Sequence, residues 1–362
     1  LNIQENIPLA PLTTFKVGGP ARYFIAARTE TEAKDAVGFA AEKRLPLFVL
    51  GGGSNLVVSD AGWPGLVLKI DLAGVTFESD RKNTGFYAGA GENWDQFVAF
   101  TVARNCAGLE CLSGIPGTVG GTPVQNVGAY GQEVSQTIIR VRVLEIATGE
   151  TLELDNAACK FSYRTSVFNT TERGRYIVLE TAYRLKQGGQ PTIEYADLKK
   201  FFAASGGGPP SLRQVRDAVL SVRQAKAMLL VSGDEDCQSA GSFFKNPLVS
   251  QAEADRVQAV AQKRVPGKSL PCYPAQDGQV KLAAAWLVEQ AGFKKGYSRG
   301  PVAISRKHSL AIVNRGGATA RDIMALKDEV QTKVRDVWGV QLQPEPVFVG
   351  FETTEGLGGI KG

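Results

Sequence analysis

The run Gly241-Ser242-Phe243-Phe244-Lys245-Asn246-Pro247 sets a hydroxyl between a glycine and two aromatic side chains that exclude water. A serine in that setting can hand a proton to a carbon atom whose electron density has just risen. Taken alone, the run reads as a turn entering a buried strand. Four other segments give it chemical company: LGGGSNLVV at 50–58, IPGTVGGTPVQNVGAYG at 115–131, YRTSVF at 163–168 and QPEPVF at 343–348.

Gly51, Gly52 and Gly53, followed by Ser54 and Asn55, come directly after an apolar stretch, a placement that suits a concave nest of backbone N–H groups for a pyrophosphate. A Rossmann fingerprint requires a third glycine where Leu56 stands, which excludes that dinucleotide fold. A second loop follows at Ile115, Pro116, Gly117, Gly120 and Gly121, leading to Gln125, Asn126 and the turn Gly128-Ala129-Tyr130-Gly131. Two nests suit one extended dinucleotide. The amides of Gln125 and Asn126 offer the donors and acceptors that a flavin edge or ribityl chain needs. Gly267-Lys268-Ser269 resembles the end of a Walker loop, but Gln262 holds the place of its first glycine, and a turn is expected.

The elements that must carry these loops are legible from periodicity. RYFIAA at 22–27, a helical pattern over 31–44 and PLFVL at 46–50 make a small α/β unit. From 66 to 185 several β-rich segments (GLVLKI, GVTFES, IRVRVLEI, RYIVLETAYRL) surround one amphipathic helix at 93–105, capped by Asn93. ASGGGPP at 204–210 has loop composition and marks a boundary. Helices are then expected from Ser211, with Gln214 at capping-box spacing, over 281–291, and over 319–338 from Thr319 with Asp322 at the box position. HSLAIVN at 308–314 reads as a buried strand opened by His308, which is assigned a structural or peripheral place.

Composition narrows the function. With 362 residues the chain has room for two or three domains at about 100–200 residues each. The net charge of +5 is spread without a Lys/Arg block, which argues against nucleic acid and suits an anionic small substrate. Five cysteines without a CxxC pair and a single histidine argue against a metal cluster and fit reduced, buried thiols. No membrane span and no export signal are legible, and a cytoplasmic protein is expected.

Taken in order, GGGSN, IPGTVGG, QNVGAYG, the Tyr163-Arg164 pair, GSFFKNP, KLAAAWL and the late PEP glutamate resemble the UDP-N-acetylenolpyruvoylglucosamine reductases (MurB) over roughly residues 10–350. The resemblance implies an α+β flavoprotein: a vanillyl-alcohol-oxidase-type (PCMH-like) FAD fold of two subdomains, with a third α+β domain covering substrate. The expected division is 1–72 plus 339–362, 73–222, and 223–338. The implied activity passes hydride from NADPH to FAD, then from flavin N5 to the vinyl carbon of an enolpyruvyl sugar nucleotide, giving UDP-N-acetylmuramate. By the same resemblance Ser242 is the proton donor, Arg164 binds the substrate carboxylate, and Glu345 polarises or shares a proton with that group. Arg223 and Lys226 share a helix face and match the diphosphate-contacting region, completed by Tyr130, Tyr195 and Asn246. The segment 186–210 with Tyr195 resembles the type I form, in which a tyrosine loop covers the substrate. A monomer is expected, with NADPH and the enolpyruvyl sugar nucleotide as its partners and no metal. Singly, Arg164 reads as a surface ion pair, Glu345 as a solvated charge, Lys226 as a solvated helix end and Tyr195 as a packed aromatic. The competing activities are an FAD-dependent alcohol oxidase, whose flavin-tethering histidine is missing from the first glycine loop, and a non-catalytic nucleotide binder. The acidic GDEDC at 233–237 and the segment after Phe351 receive no role.

Overall fold

Strands alternating with a buried-faced helix build the first unit of the computed structural model, which describes residues 1–203 and 208–351. Thr29 caps the helix Glu30–Glu42 through a box with Glu32, and Ala33, Ala36, Val37 and Ala40 face inward. The helix connects strands of a four-stranded sheet ordered Gln4–Pro8, Pro20–Ala27, Trp63–Ile70, Leu47–Leu50. Its last three strands pair in parallel, and Trp63–Ile70 is buried along most of its length, as a strand covered on both faces must be. Leu56–Val58, just past the first glycine loop, pairs in parallel with Val347–Val349, so the late glutamate segment returns beside that loop.

An antiparallel six-stranded sheet follows, with the order Thr151–Asp155, Ile138–Glu145, Tyr176–Gln187, Asn83–Gly89, Val75–Ser79, and Cys106–Ala107 added to the long strand Tyr176–Gln187. The helix Trp94–Ala103 packs Trp94, Phe97 and Val98 inward, and Asn93 accepts the Gln96 N–H as foreseen. One large apolar core runs under both sheets, from Ile25 and Leu66 to Phe86, Val141 and Leu185.

The remaining chain builds two small antiparallel sheets and the helices Gln251–Arg264, Ala284–Gln290 and Ala320–Trp338 around a second core. Phe15, Val17 and Val57 from the first unit enter that core beside Phe243 and Phe244. The capping boxes at Ser211/Gln214 and Thr319/Asp322 are both formed, and Gly339 ends its helix at φ 65°. The helix Leu212–Ala225 runs across the expected boundary at 222/223.

Two expectations change, and one helix was not foreseen. The segment 281–291 is divided between the strand Val280–Leu282 and the shorter helix Ala284–Gln290, because Leu282 completes a ladder with Cys272. Only Ile312–Asn314 of the expected strand 308–314 is extended in a sheet, and His308 lies in the loop before it. Helix Gln251–Arg264 has no counterpart in the sequence reading; its buried face is only Ala254, Val257 and Ala261, too small and sparse to stand out. The segment Gly267-Lys268-Ser269 is a turn and loop, with Gly267 at φ 80°. Four cysteines are buried and Cys272 is exposed, so the expectation of buried thiols holds for four of the five. Of the loop at 204–210, residues 204–207 lie outside the described residues, as does the segment 352–362. Among the described residues no helix is long and apolar enough to cross a membrane.

Candidate functional site

The first glycine loop ends the strand Leu47–Leu50, and its conformation is dictated by crowding. A side chain on Gly52 would place Cβ 2.5 Å from Gly117 Cα, and one on Gly53, at φ 64°, would reach within 2.0 Å of the Leu12 carbonyl oxygen. The two glycine loops therefore touch, backbone to backbone. Among the described residues none of the N–H groups of Gly51, Gly52, Gly53 and Ser54 donates to a protein acceptor, nor do those of Gly117 and Thr118. The Thr118 hydroxyl is buried without a partner, 3.0 Å from the position a Gly51 Cβ would take. Orphan donors facing one another across two glycine loops fit a dinucleotide pyrophosphate.

Other members of the expected cofactor set have different duties. Gly120 is buried because its Cβ would strike Ala90, and its N–H binds the Ala90 carbonyl; Gly121 is exposed and its N–H binds Thr118 O. Gln125 accepts from Asn55 Nδ2 at 2.7 Å, joining the loops directly. Asn126, 1% exposed, spends its amide on Glu133, the Ser162 carbonyl and the Ser135 N–H, leaving only its backbone for the site. Ile115 and Pro116 precede the Gly117 contact, while Gly128 closes on Glu133 and Arg164.

We expect Gly52→Ala to purify with far less bound flavin than the parent, because backbone meets backbone and neither loop can yield cheaply. The ratio of visible flavin absorbance to protein absorbance measures it.

Arg164 reaches into this space from a left-handed backbone, φ 55°, and Asn126 and Tyr130 are left-handed too. Such strain collects where surrounding structure over-determines a functional geometry. The Arg164 guanidinium forms an ion pair with Glu345, Nε to Oε1 at 3.0 Å, and donates from Nη2 to Gly128 O at 2.6 Å and from Nη1 to Asn126 O at 3.4 Å. Each terminal nitrogen keeps one N–H, a pair matched to a carboxylate. The Arg164 and Glu345 side chains are 19% and 15% exposed, so neither is the surface ion pair or solvated charge that its surroundings in sequence suggest.

Ser242 joins them through the backbone. The Glu345 N–H binds the Phe243 carbonyl at 2.9 Å, the Lys245 N–H binds Gln343 O at 2.9 Å, and Phe244 bridges Pro344. Asn55 Nδ2 also donates to the Glu345 carbonyl at 3.2 Å. The run at 241–247, the glutamate segment and the first glycine loop are thus knitted together. Ser242 is half-buried, and among the described residues its hydroxyl has no hydrogen-bond partner.

Tyr130, Tyr195, Arg223 and Lys226 form a neighbouring cluster. The tyrosine rings meet edge to face at 5.3 Å, and Lys226, the C-cap that follows the helix Leu212–Ala225, binds Asp197 at 2.6 Å. Burial works against the Lys226 charge, but the Asp197 carboxylate outweighs it and its pKa is raised. Arg223 is 5% exposed; burial lowers its pKa, one Nη donates to Met228 O, and its Nε is buried without a partner. Burial also raises the pKa of both tyrosines. A buried guanidinium and a half-buried ammonium with spare donors suit a phosphate-bearing ligand.

Asn246 Oδ1 accepts the Ala284 N–H at 3.0 Å and caps a helix that has no cap of its own. It faces Tyr163, whose pKa is raised by burial, and whose ring receives Lys281 at 4.5 Å. His308 sits close enough to the cluster for Lys226 and Arg223 to act on it. Burial, then Lys226, Lys295 and Arg223, lower its pKa to about 4, and its Nδ1 accepts the Leu310 N–H. The acidic 233–237 segment pairs with basic partners, Asp234 with Lys307 and Asp236 with Arg315.

Comparison with known proteins bears on this arrangement. Residues 21–155 match a family profile described as FAD binding domain, and residues 233–349 match the C-terminal domain of UDP-N-acetylenolpyruvoylglucosamine reductase. A relative of that name from Thermobifida fusca is 47% identical over 96% of this chain and 98% of its own. Another, from Streptomyces avermitilis, is 44% identical over 97% of each. The crystal structure of the reductase from Thermus caldophilus superposes with a TM-score of 0.65 at 25% identity, covering 96% of this chain and 99% of that one. With a PCMH-like flavin fold, its characteristic C-terminal domain and these relatives, the chain belongs to the UDP-N-acetylenolpyruvoylglucosamine reductases, the FAD-dependent oxidoreductases of peptidoglycan precursor synthesis.

Proposed function

We propose that the protein reduces UDP-N-acetylglucosamine enolpyruvate to UDP-N-acetylmuramate at the expense of NADPH, with Ser242, Arg164 and Glu345 as the catalytic residues. The observation that carries the reading is the half-buried Arg164–Glu345 pair, tied by the Glu345 N–H to the backbone beside Ser242 and by Asn55 to the first glycine loop. FAD, when bound, would supply the redox chemistry, relaying a hydride from NADPH to the vinyl carbon of the substrate. Gly51, Gly52, Gly53, Ser54, Gly117 and Thr118 would hold its pyrophosphate. Arg164 offers its two remaining N–H groups to the substrate carboxylate, where negative charge grows as hydride arrives. Glu345 fixes the guanidinium that meets the same carboxylate, and through it polarises that group or shares its proton. Ser242 gives its proton to C2, so one hydride and one proton saturate the double bond; the serine regains a proton from solvent.

Arg223 and Lys226 hold the diphosphate, with Tyr130 beneath and Tyr195 covering it as in the type I form. Asn246 completes that pocket, its Oδ1 meanwhile capping the helix Ala284–Gln290. Because nicotinamide and enolpyruvate need the same flavin face, turnover is ping-pong. Units 1–72 with 339–362 and 73–222 hold FAD, and 223–338 covers substrate; the two separate large cores support setting the third unit apart. The enzyme works as a cytoplasmic monomer.

The test is anaerobic. NADPH is expected to bleach the flavin, and the enolpyruvyl sugar nucleotide then to restore its absorbance with one product formed per flavin. Restoration by oxygen but not by the sugar nucleotide would overturn the reading in favour of an oxidase.

A further inference from the structure

A threonine far from the catalytic trio in sequence holds the loop that presents Ser242. Thr14 is 8% exposed, and its hydroxyl donates to the Ser239 carbonyl at 2.6 Å, across 225 residues of chain. The same hydroxyl lies 3.3 Å from Ser54 O, and the Thr14 N–H binds Gly53 O at 3.1 Å. One side chain therefore touches both the pyrophosphate nest and the segment three residues before Ser242. Asn314, 2% exposed, closes the clamp from the other side: its Nδ2 donates to Phe15 O at 3.0 Å and its N–H to Gln238 O at 2.9 Å. Beyond Ser239 the chain turns sharply, with the Gly241 N–H on Ser239 Oγ at 3.2 Å and Gly241 at φ 72°. Phe243 is then pinned by its N–H to Leu310 O and by its ring against Phe15.

We infer that Thr14 is a positioning residue: its hydroxyl sets the distance between the first glycine loop and the serine loop, and so aligns the Ser242 proton with the carbon that receives it. The inference rests on the proposed function, since it concerns the second half of that reaction. Among the described residues the Ser242 hydroxyl has no partner, so its position is set by the backbone anchors on either side, the Thr14–Ser239 bond before it and the Phe243 contacts after it. The Thr14–Ser239 bond spans the two loops directly, and a displacement of about 1 Å between reacting groups costs on the order of 100-fold in rate.

The experiment uses flavin-loaded wild type, Thr14→Val and Thr14→Ser, each reduced anaerobically with dithionite and mixed with the enolpyruvyl sugar nucleotide. In Thr14→Val, reoxidation is expected to slow by roughly 100-fold, while flavin content and binding of the sugar nucleotide to the oxidised enzyme stay at wild-type values. The solvent deuterium isotope effect on reoxidation should rise, because proton delivery becomes the slow event. In flavin-free protein, amide exchange over 239–243 should quicken while the six-stranded sheet keeps its protection. Thr14→Ser, which retains the hydroxyl, should return all of these close to wild type.

Equal reoxidation in Thr14→Val and wild type overturns the inference alone, as does a serine variant as slow as the valine one. If Thr14→Val holds no flavin, Thr14→Ala is read in the same way; loss of flavin in both, with serine loaded, replaces positioning by a purely structural role. Failure of the reduced wild type to react with the sugar nucleotide overturns the proposed function, and this inference with it.

Discussion

Ser242→Ala is expected to separate the two halves of the reaction. NADPH should bleach its flavin at the wild-type rate, because no step of that half draws on the serine proton. Reoxidation by the enolpyruvyl sugar nucleotide should then slow by about 10²–10⁴-fold, the usual range for a positioned general acid. An isolated hydroxyl is a weak acid, and on the proposed mechanism the loss is large because the carbon it would protonate is strongly basic; the adjoining Phe243 and Phe244 are buried, 0% and 2% exposed. Stability should barely change, since among the described residues the hydroxyl hydrogen-bonds to nothing whose partner would be stranded. Stopped-flow absorbance of each half-reaction reads the result; full turnover by the variant would remove serine from the mechanism.

Arg164→Met is expected to combine a kinetic with a structural loss. The guanidinium neutralises Glu345 at 3.0 Å in a site where both side chains are largely covered. Its removal strands a carboxylate, and breaking such a pair from one side costs up to about 3–5 kcal/mol when fully buried, less here because each partner keeps some exposure. It also removes the charge that stabilises the growing negative carboxylate, a further factor of about 10²–10³ in rate. The double variant Arg164→Met/Glu345→Gln separates the two: thermal stability should recover, and activity should not. Arg164→Lys should remain slow, because an ammonium cannot donate at once to Glu345, Gly128 O and Asn126 O and still present a planar pair of donors. A lysine variant close to wild type in kcat/KM would reduce the guanidinium to a simple charge.

Much of the local architecture was legible because its causes are local. Capping boxes at Ser211/Gln214 and Thr319/Asp322 depend on side chains three residues apart, and apolar periodicity marked the long strands. Where apolar content was thin or shared, the reading missed: the Ala-faced helix Gln251–Arg264 has little periodic signal, and Val280–Leu282 became a strand through a ladder made with residues the local pattern does not contain.

Residue types also pointed toward nucleotide chemistry through two glycine loops and a serine among aromatics, while the roles of that serine, Arg164 and Glu345 came from the family resemblance of the motifs in their order. Tertiary structure decided which of those residues are free to act. It committed the Asn126 amide to holding its own loop and turned Gly120 to packing. Asn246 was spent on capping a helix, His308 was drawn toward Lys226 and Arg223, and an ordinary-looking Thr14 came to join the nest to the serine loop. The physical reason is that a hydrogen-bonding group has few valences, and whether they are satisfied by the fold or left for a ligand depends on neighbours brought together by packing from distant parts of the chain.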